Sequence, residues 1–178
     1  MYYIYFDCCI LVDYGGKMKL NLGSGQDYKE DYVNIDIVDF GKLDIQHDLN
    51  KTPYPFKDNQ FEEIYANSIL EHLDKPIEIL KELTRITKNN GKIIIIVPHA
   101  NSYANLTDLQ HLHNFTENTF NEELLLEYGL TNIKLISRKL YSRSNSNKWK
   151  EFIPFRKYLK IFLNGLYDDI EFIFEVIK

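Results

Sequence analysis

Residues 20–25 read Leu-Asn-Leu-Gly-Ser-Gly, a short apolar run broken by two glycines. At the carboxyl edge of a parallel sheet, where ligands bind, such a turn brings bare backbone to a small molecule. Gly23 permits the tight turn, and Gly25 lets a ligand come close to the main chain. Asp36 ends the next apolar run, residues 32–37 (YVNIDI). A carboxylate there can accept hydrogen bonds from both hydroxyls of a ribose. A glycine pair alone also serves as an ordinary strand-to-loop turn, and it is the acid one strand later that favours a nucleoside site.

The surrounding residues restrict which nucleoside. A dinucleotide fingerprint needs a third glycine three residues past the second, and Tyr28 stands there. Asp27, Glu30 and Asp31 crowd the same turn; carboxylates repel a pyrophosphate and tolerate a cationic ligand. S-adenosylmethionine, with an adenosine, no phosphate, an ammonium and a sulfonium, fits that environment. A nicotinamide-dependent dehydrogenase is disfavoured by the same residues.

Polar side chains that could act on a second substrate fall after the fourth and fifth apolar runs. Glu71 and His72 follow the fourth, His99 follows the fifth, and Asp108, His111 and His113 come shortly afterwards. Displacement at an already activated methyl carbon needs no acid for its leaving group and relies on positioning. A base is required only where the acceptor loses a proton. His99, His111 and Asp108 are the candidates for that role, with Glu71, His72 and His113 as acceptor contacts. Helix capping and surface exposure are the competing readings for these residues. The spacing of Asp108, His111 and His113 lacks a recognised ligand pattern, so no metal site is expected.

These residues need a scaffold, and strands and helices alternate from Met18 onward. Residues 19–22, 32–37, 43–49, 61–66, 92–97, 132–136 and 170–177 read as strands. Asp74 is expected to cap a helix with Pro76 in its first turn. Ile79, Leu80, Leu83 and Ile86 share one face of that helix, and Asn89-Asn90-Gly91 is expected to end it. Thr119 and Glu122 suggest a capping box for a second helix that buries Phe120, Leu124 and Tyr128 and ends at Gly129. The apolar run KIIIIV (92–97) suits a central strand covered on both faces. Such alternation predicts an α/β domain with a doubly wound, mostly parallel sheet and helices on both faces.

Bulk properties fit one soluble domain. The chain has 178 residues, 44% hydrophobic and 26% charged, with a formal net charge of −5; a general affinity for polyanions is therefore not expected. No apolar run is long enough to span a bilayer, and the first residues lack a signal peptide's basic start and cleavage site. The two cysteines, Cys8 and Cys9, are adjacent and unsuited to an unstrained disulfide, so a reducing, cytoplasmic setting is expected. Residues 1–17 stand apart as an N-terminal extension, and 18–178 form the main domain.

Taken in order, LNLGSG, YVNIDI, HDLNKTPYPFKDNQFEEIYANSILEHL and DKPIEILKELTRITKNNGKIIIIVPH resemble the small class I S-adenosylmethionine-dependent methyltransferases of the type 11 group, from Met18 to about Gly129. The resemblance implies a Rossmann-like sheet of seven strands in the order 3-2-1-4-5-7-6, with the last strand antiparallel. It also implies that Leu22, Gly23, Ser24 and Gly25 pass under the methionine part of the cofactor. Asp36 would hold the ribose, with Ile37 on the adenine; Asp48 would take the adenine amino group, with Leu49 against the ring. Asn67 and Ser68 would line the transfer region, and Asp108 and His111 match an aspartate-histidine pair that follows the fifth strand. Only ten residues separate Gly25 from Asp36, so the first crossover helix must be very short, leaving the methionine end less covered.

Residues 134–160 carry nine Lys and Arg against one acid, Glu151, with aromatic residues interleaved. Residues 139–168 are expected to form a basic, aromatic cap-like insertion over an anionic or sugar-containing acceptor, a solvated loop being the plainer reading. The fourth run ends Asn67-Ser68-Ile69-Leu70, not the Asn/Asp-Pro-Pro-Tyr of enzymes that methylate exocyclic base amines. The reading favoured is methyl transfer to a small-molecule or glycan-like acceptor. RNA as acceptor, or a non-catalytic module keeping the fold, remain alternatives, and a homo-oligomer stays open.

Overall fold

The computed structural model describes residues 16–142, 150, 152–159 and 165–178. The expectations for residues 1–15 and for much of the 139–168 segment lie outside these residues.

Seven strands form one sheet: β1 (Lys19–Leu22), β2 (Val33–Asp36), β3 (Ile45–Gln46), β4 (Phe61–Asn67), β5 (Thr87–Pro98), β6 (Ile133–Tyr141) and β7 (Asp169–Val176). Their order is β3-β2-β1-β4-β5-β7-β6. The pairs among β1 to β5 are parallel, and β7 runs antiparallel to both β5 and β6. This is the predicted strand order and direction.

The strands follow from their sequences. In β5, Ile93, Ile95, Ile96 and Val97 are buried, as a central strand requires. β7 alternates Ile170, Phe172, Phe174 and Val176 into the core, the period-two pattern of a strand. Phe120 packs edge-on against Phe172 and Phe174, with centroids 4.9 and 5.4 Å away.

Helix α1 (Pro76–Ile86) buries the predicted face of Ile79, Leu80, Leu83 and Ile86. Its ends differ from expectation. Lys75, not Asp74, holds the N-cap position without a side-chain cap, and the Asp74 amide donates to Asn50 Oδ1 instead. At the other end the chain is already extended at Thr87, so Asn89-Asn90-Gly91 lies within the span of β5. Gly91 is needed for closeness: a Cβ there would sit 2.6 Å from Thr87 Cγ2 and 2.9 Å from the Lys88 carbonyl. Two short helices follow, α2 (Tyr103–Thr107) and α3 (Glu122–Glu127). Asn121, not Thr119, caps α3 by accepting from the Leu124 amide, while Thr119 Oγ1 accepts from Thr116 N. Leu125 is the buried leucine of α3 in place of Leu124.

The largest departure lies at the start of the domain. Among the described residues no helix joins β1 to β2, β2 to β3 or β3 to β4. The short crossover expected after β1 is a chain of turns, held by two buried asparagines. Asn21 Nδ2 donates to the Asp27 carbonyl and to Asn34 Oδ1. Asn34 in turn receives the Lys29 amide and donates to the carbonyls of Lys29 and Tyr32 and to Asp44. Side-chain amides thus do the work of a helix's own backbone bonds, and the third predicted strand shrinks to Ile45–Gln46.

β6 extends through Tyr141, so residues 139–141 are strand and not cap. Beyond it, α4 (Arg156–Leu159) is tied back by Arg156, which donates to Ser142 Oγ and the Leu166 carbonyl and stacks on Tyr167 at 3.9 Å.

Candidate functional site at the carboxyl edge

Parallel pairing brings the ends of β1, β2, β3 and β4 to one edge. Leu22 registers with Ile35 and Ala66, and Asp36 with Gln46. The chain leaves β1 through Gly23 and Ser24, whose amides both donate to the Ile35 carbonyl at 2.9 and 3.1 Å. Gly23 (φ 64°) and Gly25 (φ 49°) are both left-handed, a region glycine enters without penalty. Their surroundings differ. A Cβ on Gly23 would lie 2.5 Å from Ile69 Cγ1, whereas one on Gly25 meets nothing within 4 Å. Gly23 is therefore closed in by Ile69, two residues past β4, and Gly25 faces open space.

Asp36 ends β2 and folds back on this turn. Its Oδ2 accepts from the Gly25 amide at 2.8 Å and its Oδ1 from the Val38 amide at 3.0 Å. Each carboxylate oxygen offers two acceptor positions, so one remains on each for a ligand hydroxyl. Beyond it Ile37, Val38 and Phe40 expose 57, 48 and 55% of their surface. Three exposed apolar side chains within four residues offer apolar surface to a flat ring. A cleft of about 410 Å³ opens beside the turn, lined by Ser24, Gly25, Gln26, Tyr28, Phe40, Lys42 and Leu43. That volume lies within the range of small-molecule sites. These features fit an adenosyl group: a free pair of acceptors for a ribose, bare backbone at Gly25 and an apolar surface for the base.

The other cofactor candidates are placed unevenly. Leu22 is fully buried and Ser24 nearly so, leaving their backbone to the turn. Asp48 pairs with Lys51 at 3.4 Å and accepts from the Asn50 amide. Leu49 is packed in the core, 4% exposed, and its carbonyl receives the Tyr54 hydroxyl at 2.9 Å. Asn67 closes β4, and Ser68 takes a left-handed φ of 53° while its amide donates to the Ile96 carbonyl. A non-glycine residue held there is backbone strain of the kind found at functional sites. Of the acids near the turn, Asp27 is paired with Lys29 at 3.1 Å, and Glu30 and Asp31 are exposed.

A second cluster lies just past Ile69. A 3-10 turn, Leu70–His72, presents Glu71, 1% exposed, and His72. The segment after α2 is latched onto that turn, with the amides of Leu112 and His113 donating to the Glu71 carbonyl at 2.8 and 3.3 Å. The latch puts His111 Nε2 4.0 Å from Glu71 Oε1 and 3.6 Å from Asp108 Oδ2. The His72 and His111 rings meet edge to face, centroids 4.7 Å apart. Burial and the neighbouring His72 hold the His111 imidazole below its ordinary pKa, opposed by Asp108 and the bond to Asn105. Four of the six predicted acceptor-side residues thus come together.

The other two do not join them. His99 is 5% exposed and paired with Glu117, Nε2 to Oε2 3.3 Å, while its Nδ1 accepts from the Asn101 amide. His113 Nε2 is buried without a hydrogen bond among the described residues.

Sequence reasoning missed Asn21, Asn34 and Asn105, the amides that hold the two loops. A signal was present: Leu20-Asn21-Leu22 and Val33-Asn34-Ile35 each place a carboxamide inside an apolar strand, and a buried carboxamide needs partners.

Comparison with known proteins agrees with the fold. A family model described as a methyltransferase domain matches residues 12–95. A crystal structure of an S-adenosylmethionine-dependent methyltransferase from Archaeoglobus fulgidus superposes with a TM-score of 0.62 at 20% identity, covering 88% of this chain and 85% of that one. The 1,6-didemethyltoxoflavin-N1-methyltransferase of Burkholderia thailandensis, solved with 1,6-didemethyltoxoflavin and S-adenosylhomocysteine bound, gives a TM-score of 0.55 at 13% identity, over 90% of this chain and 71% of that one. At these identities the likeness is one of fold. An uncharacterised protein of Methanocaldococcus jannaschii is 42% identical over 48 residues, 27% of this chain and 21% of that protein. The match therefore spans about a fifth of that relative's length.

Proposed function

We propose that this chain, which has the strand order of the class I methyltransferase fold and matches a methyltransferase-domain model over residues 12–95, binds S-adenosylmethionine at the glycine turn and passes its methyl group to a small-molecule or glycan-like acceptor. The observation that carries the reading is the Asp36 carboxylate drawn onto the Gly25 amide, beside the exposed apolar surface of Ile37, Val38 and Phe40. Asp36 would hold the ribose, Ile37 the adenine face, and the backbone of residues 22–25 the methionine portion. Asp48, with Leu49 behind it in the core, would border the adenine edge, and Asn67 and Ser68 the side toward transfer.

The cofactor, when bound, supplies a methyl group on a sulfonium that leaves without protonation. The chain's task is then to exclude water, orient the acceptor and remove a proton where the acceptor has one to lose. In this reading Glu71 and His72 orient the acceptor, and His111 and Asp108 take the proton. Tyr103, Leu106, Leu109 and Leu112, on and just after α2, expose 55 to 98% of their surface beside this polar cluster. Such a surface suits an acceptor with an apolar portion.

The test is incubation with methyl-labelled S-adenosylmethionine and separate pools of small metabolites, oligosaccharides and RNA. Label in the first or second pool supports the reading. Label confined to RNA overturns the acceptor class, and cofactor binding without transfer to any pool favours a non-catalytic module.

A further inference from the structure

The cluster past β4 has the composition and second-layer contacts of a metal site. One ligand atom each from Glu71, His72 and His111 lie within 4.8 Å of one another. Two imidazoles and a carboxylate form a facial ligand set for first-row transition ions. An ion about 2.1 Å from each ligand would draw those atoms to roughly 3–4 Å apart, a closure of about an ångström by side chains on two short loop segments.

The hydrogen bonds leave one ring nitrogen of each histidine with its lone pair. His72 Nδ1 meets the Gln110 carbonyl at 3.2 Å. A carbonyl can only accept, so Nδ1 carries the proton and Nε2 keeps its lone pair. Asn105 Nδ2 donates to the Ala100 carbonyl at 3.1 Å, which fixes the amide's orientation. Its Oδ1 then faces His111 Nδ1 at 3.3 Å as an acceptor, so His111 Nε2 is also a lone pair, directed toward Glu71 and Asp108. Metal-binding histidines characteristically donate their other nitrogen to a carbonyl or carboxylate in this way. We infer that Glu71, His72 and His111 bind a divalent first-row transition ion such as Zn²⁺, positioned by Asn105 and the Gln110 carbonyl.

Mg²⁺ and Ca²⁺ prefer all-oxygen shells, and the two imidazoles select against them. Three protein ligands leave coordination positions open. An oxygen of the methyl acceptor can fill one, a role that rests on the methyltransferase reading; Asp108 then serves alone as proton acceptor.

The test is titration of the chelator-stripped full chain with Co²⁺, followed by its visible d–d absorption and by Zn²⁺ competition. One ion per chain is expected. His72→Ala and His111→Ala should each weaken binding at least tenfold. Asn105→Ala should weaken it about 10- to 100-fold, and Asn105→Asp, which keeps the acceptor, should restore it. His47→Ala, outside the cluster, should leave uptake unchanged. Thermal unfolding checks each fold, and Glu71→Gln and His111→Gln, nearer in volume, carry the same test where alanine unfolds the chain. Absence of uptake at millimolar ion overturns the site. So does uptake that survives the His72→Ala/His111→Ala double variant and disappears with Cys8→Ser/Cys9→Ser. Ion uptake without cofactor binding would overturn the methyltransferase reading and leave the metal site; cofactor binding without uptake would do the reverse.

Discussion

Asp36 Oδ2 accepts the Gly25 amide at 2.8 Å, so the acid at the end of β2 and the glycine turn after β1 form one rigid corner. The two glycines of that corner do different work, and their substitutions should separate. Gly23→Ala puts a methyl group 2.5 Å from Ile69 Cγ1 at a left-handed φ and should destabilise the fold by about 2–4 kcal/mol. Gly25→Ala meets no neighbour and should cost only about 1 kcal/mol, while its methyl group enters the cleft and lowers cofactor affinity. Denaturant unfolding alongside calorimetry distinguishes them. Adding Ile69→Ala to Gly23→Ala should recover part of the lost stability, and no recovery would count against the clash.

Asn34→Ala should destabilise the domain by about 2–4 kcal/mol, because it strands several buried groups at once. Asn34 connects the Asn21 side chain, the Lys29 amide, the carbonyls of Lys29 and Tyr32, and Asp44. The loop it holds carries Gly25 and Tyr28, so cofactor affinity should fall together with stability. Unchanged unfolding in urea would show that the turns hold themselves.

Alkaline stability should depend on Tyr54. Its phenol is 2% exposed, and burial first, then Glu82 and Asp48, raise its pKa above the ordinary value. The raised group keeps its proton in the folded chain where the unfolded chain has lost it. Its contribution is thus complete below about pH 10 and declines above that at roughly 1.4 kcal/mol per pH unit. Tyr32, raised first by burial and then by its bond to Glu63, adds in the same direction. Tyr54→Phe should cost about 1 kcal/mol at neutral pH through the lost bond to the Leu49 carbonyl and should flatten the decline above pH 10. A decline identical in both proteins would assign the effect elsewhere.

The strands were legible in the sequence as alternating apolar runs, and their order in the sheet came from the resemblance alone. KIIIIV could only be a central strand, and the Ile79–Ile86 spacing only a helix face. What escaped was set by side chains acting at a distance. Asn89-Asn90-Gly91 has the composition of a helix end, yet Thr87 donates both its amide and its hydroxyl to the Leu83 carbonyl, and β5 starts there, five residues before the predicted Lys92. The missing first helix was foreshadowed by the short interval from Gly25 to Asp36, but its replacement by an asparagine network was not, because carboxamide partners are invisible to periodicity. Likewise Glu71 and His72 sit some forty residues from His111, so no ligand spacing could reveal a cluster that the Leu112 and His113 amides assemble on the Glu71 carbonyl.

Calorimetric titration with S-adenosylhomocysteine of the native chain and of Asp36→Ala addresses the central claim most directly. The account predicts saturable one-to-one binding by the native chain, weakened about tenfold or more in the variant through loss of charge-assisted hydrogen bonds, with both proteins folded. Equal affinity in the two, or no heat from the folded native chain at millimolar ligand, would contradict it.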